Sequence, residues 1–290
     1  MGRDFLALLR PWQWTKNLFI FLPLFFALKI FELDLLIRAC EAFVFFCLLS
    51  SAVYVGNDFF DLAEDRRHPA KRNRPLAAGR VSVKQASTAL VTLLFLGLTG
   101  SWLMGPLMLA LSILYLLINV LYTLKVKHHA IIDIMFIATG FVIRIFVGGV
   151  ATGVTIYPWI VVMTFLLALF LALGKRREDL IISTMSGEKT RKSIEGYNLP
   201  FIDAAMIVMA AVTIVAYVMY TLSSEVMAKF HTHQLYLTTF FVILGLLRYL
   251  QIAMVDQKIS DPTEVILRDR FLQLAIVGWI ISFGLLIYLR

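Results

Sequence analysis

The strongest constraint on this chain is a succession of apolar stretches, each about 20 residues long, that leaves little room for anything else. They fall at roughly 15–32, 36–56, 83–103, 106–124, 130–152, 156–174, 200–222, 233–252 and 271–289. A helix of about 20 residues crosses the roughly 30 Å hydrocarbon core of a bilayer. In that medium every backbone polar group needs an internal partner, so apolar runs of this length read as membrane-spanning α-helices. With 60% hydrophobic and 16% charged residues, and a mean hydropathy of +0.83, the composition excludes an ordinary soluble domain. The expected architecture is all-α, a single bundle of about nine spans over residues 1–290 with no linker or soluble domain. Pro23 marks the first span as kinked or re-entrant.

The charges test this arrangement. With the amino terminus in the cytoplasm, the inner segments collect 22 of the 27 lysines and arginines, leaving Lys29, Arg38, Lys229 and Arg290 outside and Arg144 within a span. This asymmetry obeys the positive-inside rule and predicts an integral inner (plasma) membrane protein. It also accounts for the net charge of +8 without nucleic acid as a partner. The first apolar run follows Arg3, Arg10 and Lys16 but no small-residue cleavage site comes after it, so it is expected to be retained. Cys40 and Cys47 lie seven apart within one span, too far to bridge, and are expected as buried small hydrophobes.

One polar island interrupts the apolar pattern, Asn57 to Ser82, reading NDFFDLAEDRRHPAKRNRPLAAGRVS. On a helix, Asp58, Asp61 and Asp65 share one face over two turns. Such like charges weaken a helix unless a cation joins them. Their hard oxygens suit Mg²⁺ completed by water and substrate phosphates rather than a caged metal. Arg66, Arg67, His68, Lys71, Arg72 and Arg74 follow at once and suit phosphate oxygens. The island therefore reads as a Mg²⁺-diphosphate site on the inner face.

Other inner segments add candidates. YTLKVKHHAIID brings Lys125, Lys127, His128, His129 and Asp133, with no third histidine or cysteine to suggest zinc. Arg144 lies deep in the fifth span, where a charge is costly unless it faces a polar interior. GKRREDL, at the end of the sixth span, sets Lys175 three residues before Glu178 and Arg176 three before Asp179, so cations and carboxylates share one helix end. Residues 186–198 read as a surface loop able to cover a substrate, and the last inner loop carries paired charges around Arg248, Asp261, Glu264 and Asp269.

NDFFDLAEDRRHPAKRNRPLAAG, together with RPWQWTKN, YTLKVKHHAIIDI and GFVIRIFVGG, resembles the UbiA superfamily of intramembrane prenyltransferases over most of the chain. Members typically carry a second acidic DxxxD motif after span six, where this sequence has GKRREDLIIS. That departure, with the late RYLQIA and DPTEVILRDR segments, resembles the branch containing decaprenyl-phosphate phosphoribosyltransferase. The resemblance implies Mg²⁺-dependent transfer of 5-phosphoribose from phosphoribosyl diphosphate to a polyprenyl phosphate, with release of diphosphate. It implies a metal site of Asp58, Asp61 and Asp65 and catalytic roles for Asp58, Asp61, Lys175 and Glu178. Substrate contacts would come from Asn57, Asp65, Arg66, Lys71, Arg72, Arg74, Lys125, Arg144 and Arg176. Two other readings stay open: prenyl transfer to an aromatic or other small acceptor, and a lipid or ion transporter. A homo-oligomer is permitted and not required.

Overall fold

The computed structural model describes residues 2–67, 71–186, 192–256 and 262–288. His68, Arg191, Asp261 and part of the 186–198 loop lie outside the described residues. Among the described residues, eight helices are long and apolar enough to cross a membrane. We number them α1 (Leu33–Phe60), α2 (Val83–Leu103), α3 (Pro106–Leu124), α4 (Ile132–Thr152), α5 (Pro158–Ser186), α6 (Leu199–Leu222), α7 (Thr239–Met254) and α8 (Arg270–Tyr288). The chain is an all-helical integral membrane protein.

The helix ends follow local chemistry. Ser82 caps α2 through the backbone N–H of Gln85, whose side chain reaches back to Ser82 in a capping box. Asn198 caps α6 by accepting from the Phe201 N–H. Proline opens α3, and Gly105 makes the tight α2–α3 turn at φ 126°, a conformation closed to other residues.

The first apolar stretch departs from the expected long helix. Pro11–Phe21 (11 residues) is a 3-10 helix and Leu22–Phe26 (5 residues) a short α-helix. At about 2.0 and 1.5 Å per residue they still reach roughly 30 Å, the thickness of the hydrocarbon core. They run antiparallel to α1: Gln13 meets Tyr54, Trp14 donates to Ser51, Asn17 donates to Ser50 and Cys47, and the ring of Phe21 packs on Phe43. Thus nine apolar stretches resolve into eight long helices and one segment of different winding. A Cβ on Gly148 of α4 would lie 2.0 Å from the Ile20 carbonyl oxygen, so glycine alone allows this approach. Cys47 is buried as expected, whereas Cys40 is exposed on α1, and both are free.

Packing divides the chain into two compact units, residues 1–126 with 140–156, and residues 127–139 with 157–290. In the first, α1 packs on α2, α3 and the amino-terminal segment. Its core is built from Ile20, Phe46, Leu49, Met108, Tyr115 and Val147. In the second, α5 packs on α6, and α7 on both α6 and α8.

Candidate active site

In the first unit, α1 ends at Phe60, and Asp61, at φ −92° and ψ 3°, turns the chain into the short helix Leu62–Arg67. Backbone bonds from Asp61 to Asn57 and from Asp65 to Asp61 carry the winding through the junction. Asp58 and Asp65 are thereby turned inward, at 2% and 1% exposure. Asp61 is half-buried, while Arg66, Arg67 and Arg72 are exposed.

Two arginines hold the acidic pair. Arg74 Nη1 lies 2.6 Å from Asp65 Oδ2 and 3.1 Å from Asp58 Oδ1, bridging the two carboxylates. Arg10 donates through Nη2 to the same Asp58 oxygen at 2.5 Å, with its guanidinium 5.1 Å from the centre of the Tyr54 ring. Burial lowers the pKa of Arg10, and Asp58 opposes that shift, so the guanidinium keeps its charge. Its backbone is left-handed at φ 53°, immediately before a proline, an arrangement that stores strain of order 1–3 kcal/mol.

The other oxygen of each carboxylate, Asp58 Oδ2 and Asp65 Oδ1, is buried without a hydrogen-bond partner. A buried anionic oxygen in that state is costly, and a cation reaching both would remove the cost. The described residues hold no group of three or more His, Cys, Asp or Glu side chains placed to cage a metal. Two carboxylates with open oxygens therefore fit an ion that takes its remaining ligands from water and substrate, as Mg²⁺ does. Asn57 turns its Oδ1 toward Thr123 Oγ1, 2.6 Å away, which fixes the amide beside the acidic pair.

Arg144, in the same unit, is buried at 5% exposure. It donates to Asn17 Oδ1 at 2.8 Å, the Gly140 carbonyl at 2.6 Å and the Tyr115 hydroxyl at 3.3 Å. The rings of Phe46, Tyr115 and Phe141 lie 5.1–5.5 Å from the guanidinium carbon. Lys125 is exposed at the end of α3 and Lys71 half-buried.

In the second unit, Lys175 pairs with Glu178 at 2.6 Å and approaches Asp179 at 3.7 Å. Arg176, at 2% exposure, donates through Nε to Asp133 Oδ2 and through Nη1 to Asp179 Oδ2, each at 2.6 Å. Asp133 is fully buried, and its Oδ1 accepts from the Ile134 N–H at 2.8 Å and the Tyr197 hydroxyl at 2.9 Å. Burial pushes the Tyr197 hydroxyl pKa up, so it stays protonated to make this bond. The same hydroxyl accepts from the Ile131 N–H at 2.6 Å. Ile131 has φ 69°, and a β-branched residue held there costs of order 1–3 kcal/mol. Arg177 is tied to Asp203 at 2.7 Å and to the Ala253 carbonyl.

Two participants were not singled out from the sequence. The sequence pattern gives Arg10 as an inner-face charge at the head of RPWQWTKN and nothing that ties it to Asp58, although its place before Pro11 marks a constrained backbone. Tyr197 was placed in a covering loop, yet it is buried and bonded at both hydroxyl positions.

A model of the UbiA prenyltransferase family matches residues 18–180. Decaprenyl-phosphate phosphoribosyltransferase of Mycobacterium tuberculosis is 31% identical over 287 residues, covering 95% of this chain and 91% of that protein. The enzyme of the same name from Corynebacterium glutamicum is 32% identical, covering 97% and 86%. Among solved structures, a UbiA homolog from Archaeoglobus fulgidus bound to GPP and Mg²⁺ superposes with a TM-score of 0.69 at 18% identity, covering 98% of this chain and 96% of that one. With a family model matched over more than half its length and relatives above 30% identity from end to end, this chain belongs to the UbiA prenyltransferase family.

Proposed function

We propose that this protein transfers 5-phosphoribose from phosphoribosyl diphosphate to a polyprenyl phosphate, at the cytoplasmic face of the membrane and with Mg²⁺, releasing diphosphate. The observation that carries this reading is similarity to decaprenyl-phosphate phosphoribosyltransferases along nearly the whole of both chains. It is supported where a second acidic motif would stand: the carboxylates of GKRREDL already face Lys175 and Arg176. Only the Asp58–Asp65 pair offers buried oxygens without partners among the described carboxylates.

In this mechanism Asp58 and Asp65, with Asp61 at the junction between them, would hold the Mg²⁺ that accompanies the donor's diphosphate. The metal would neutralise charge on the leaving group. Arg10 and Arg74 then exchange carboxylate oxygens for phosphate oxygens, keeping charge compensated throughout. Asn57 contacts the diphosphate, and the exposed Arg66, Arg72 and Lys125 with Lys71 draw anionic substrates to this face. For Lys175 and Glu178, in the second unit, the family resemblance suggests a role toward the phosphoribosyl group. An oxygen of the acceptor phosphate attacks C1 of the ribose as the C1–O bond to diphosphate breaks, and diphosphate leaves with the bonding electrons. The nucleophile is already anionic, so no general base is needed; positioning and charge stabilisation supply the rate. We assign Arg144 and Arg176, whose donors are engaged internally, to holding the scaffold.

The solved relative with bound GPP supports prenyl transfer as a second reading. Purified protein with Mg²⁺ is incubated either with labelled phosphoribosyl diphosphate and polyprenyl phosphate, or with prenyl diphosphate and 4-hydroxybenzoate. Labelled lipid from the first mixture alone is the expected result. Prenylated product from the second, with none from the first, would replace the proposal by the second reading.

A further inference from the structure

Three segments of the second unit converge on one phenol. The Tyr197 hydroxyl accepts from the Ile131 N–H at 2.6 Å and donates to Asp133 Oδ1 at 2.9 Å. Through Asp133 it is joined to Arg176, and through Arg176 to Asp179 on the helix end that bears Lys175 and Glu178. Packing reinforces the junction, since a Cβ on Gly196 would fall 2.6 Å from the Ala130 Cβ. At its centre Ile131 is held left-handed at φ 69°. Ile131 is 49% exposed, so side-chain burial does not impose that backbone. It is restrained by the bond from its N–H to Tyr197, by the Ile132 N–H to Ala130 carbonyl bond at 2.8 Å that closes the turn around it, and by the Met135 N–H to Ile131 carbonyl bond at 3.1 Å. Of these the Tyr197 bond alone ties the turn to another segment.

We propose that Tyr197 is a positioning residue for the transfer reaction. Its hydroxyl clamps Ile131 in a strained conformation and so fixes the 127–133 segment against the helix end carrying Lys175 and Glu178. Without the clamp, Ile131 relaxes out of the left-handed region and substrate binding must restore it. The proposal rests on the functional reading above for the roles of Lys175 and Glu178. It adds that their placement depends on a hydroxyl that itself touches no substrate.

The test exploits glycine, which adopts positive φ without strain. Tyr197→Phe keeps the ring and removes only the hydroxyl. In full-length protein in detergent, this variant is expected to raise KM for phosphoribosyl diphosphate about tenfold while kcat stays within about threefold, the factor set by the strain to be restored. Ile131→Gly alone is expected to stay near wild type. In the Ile131→Gly background, Tyr197→Phe is expected to raise KM by less than about threefold, because glycine needs no clamp. Equal KM penalties in the two backgrounds would overturn the proposal. So would a Tyr197→Phe protein with unchanged kinetics and only a lower thermal midpoint, the mark of a purely structural tyrosine.

Hydrogen exchange supplies a readout independent of turnover. The Ile131 amide is expected to exchange at least about tenfold faster in Tyr197→Phe than in wild type, and an unchanged rate removes the clamp. If the wild-type chain transfers no phosphoribose, the functional reading fails, and the clamp stands or falls on the exchange rates.

Discussion

Asp58 with Asp65 in one unit, and Asp133 in the other, are buried carboxylates facing arginines, yet their hydrogen bonds end differently. Asp133 uses both oxygens, on Arg176 and on Tyr197 with the Ile134 amide. Asp58 directs one oxygen to Arg10 and Arg74, Asp65 directs one to Arg74, and each keeps its other oxygen buried without a partner. A fully compensated cluster fixes the chain, and losing either partner leaves an uncompensated buried charge. The half-compensated cluster has a deficit that a divalent ion and its anionic ligand can fill. Sharing a chemistry of carboxylate and guanidinium, the two are separated by what remains unpaired.

Four measurements sharpen or break that contrast. The largest effect is expected from Asp58→Asn, which should lower turnover by about 10³-fold or more, in the range seen for a lost transition-state charge partner, with the purified protein still folded. Retained activity would end the metal assignment. Asp133→Ala should do the reverse and cost about 3–5 kcal/mol of stability by breaking the buried Asp133–Arg176 pair, which leaves Arg176 Nε without its carboxylate while Nη1 keeps Asp179, read as a large fall in detergent thermal midpoint or loss of folded protein. A variant of wild-type stability would show that the second cluster is not a strut. Third, Mg²⁺ with diphosphate at about 100 times Kd should stabilise the wild type by about 2.7 kcal/mol, and Asp65→Asn should abolish that shift; persistence of the shift in the variant places the ions elsewhere. The smallest effect belongs to Arg10→Lys, which keeps charge but loses planar recognition of phosphate. It should reduce kcat/KM about tenfold, or 1.4 kcal/mol, and wild-type kinetics would remove Arg10 from the site.

The parts legible in the sequence are those encoded locally. The apolar runs at 83–103 and 106–124 coincide with α2 and α3, because length and polarity set those boundaries and the capping box and Pro106 sharpen them. The inward turn of Asp58 and Asp65 follows the helical spacing expected of the motif, although the long helix ends at Phe60 and the winding passes through a junction at Asp61. Arg10 was not legible, since its partner Asp58 is 48 residues away and local pattern says nothing about which arginine returns to which carboxylate. The winding of Pro11–Phe21 was hidden likewise. An apolar run reads the same as α or 3-10 until its polar contacts are known, and here Asn17 bonds to α1 and, through Arg144, to α4. Arg176 illustrates the converse: its charge is plain in GKRREDL, but only the fold shows that it is engaged with Asp133.

The close passage of Ile20 against Gly148 bears on how the protein is made. Pro11–Phe26 is synthesised before α4, and the 3-10 winding of Pro11–Phe21 has poorer hydrogen-bond geometry than an α-helix. It relies on Arg144 and the glycine notch of α4, which are synthesised more than a hundred residues later. We therefore expect this segment to settle late, entering a groove that later-made helices build. Arrested nascent chains ending before and after α4 test this order: a cysteine introduced at Ile20, fully buried against Gly148 in the folded protein, should be open to a thiol reagent in the shorter chain and protected in the longer. Equal protection at both lengths would mean that the segment settles on α1 alone.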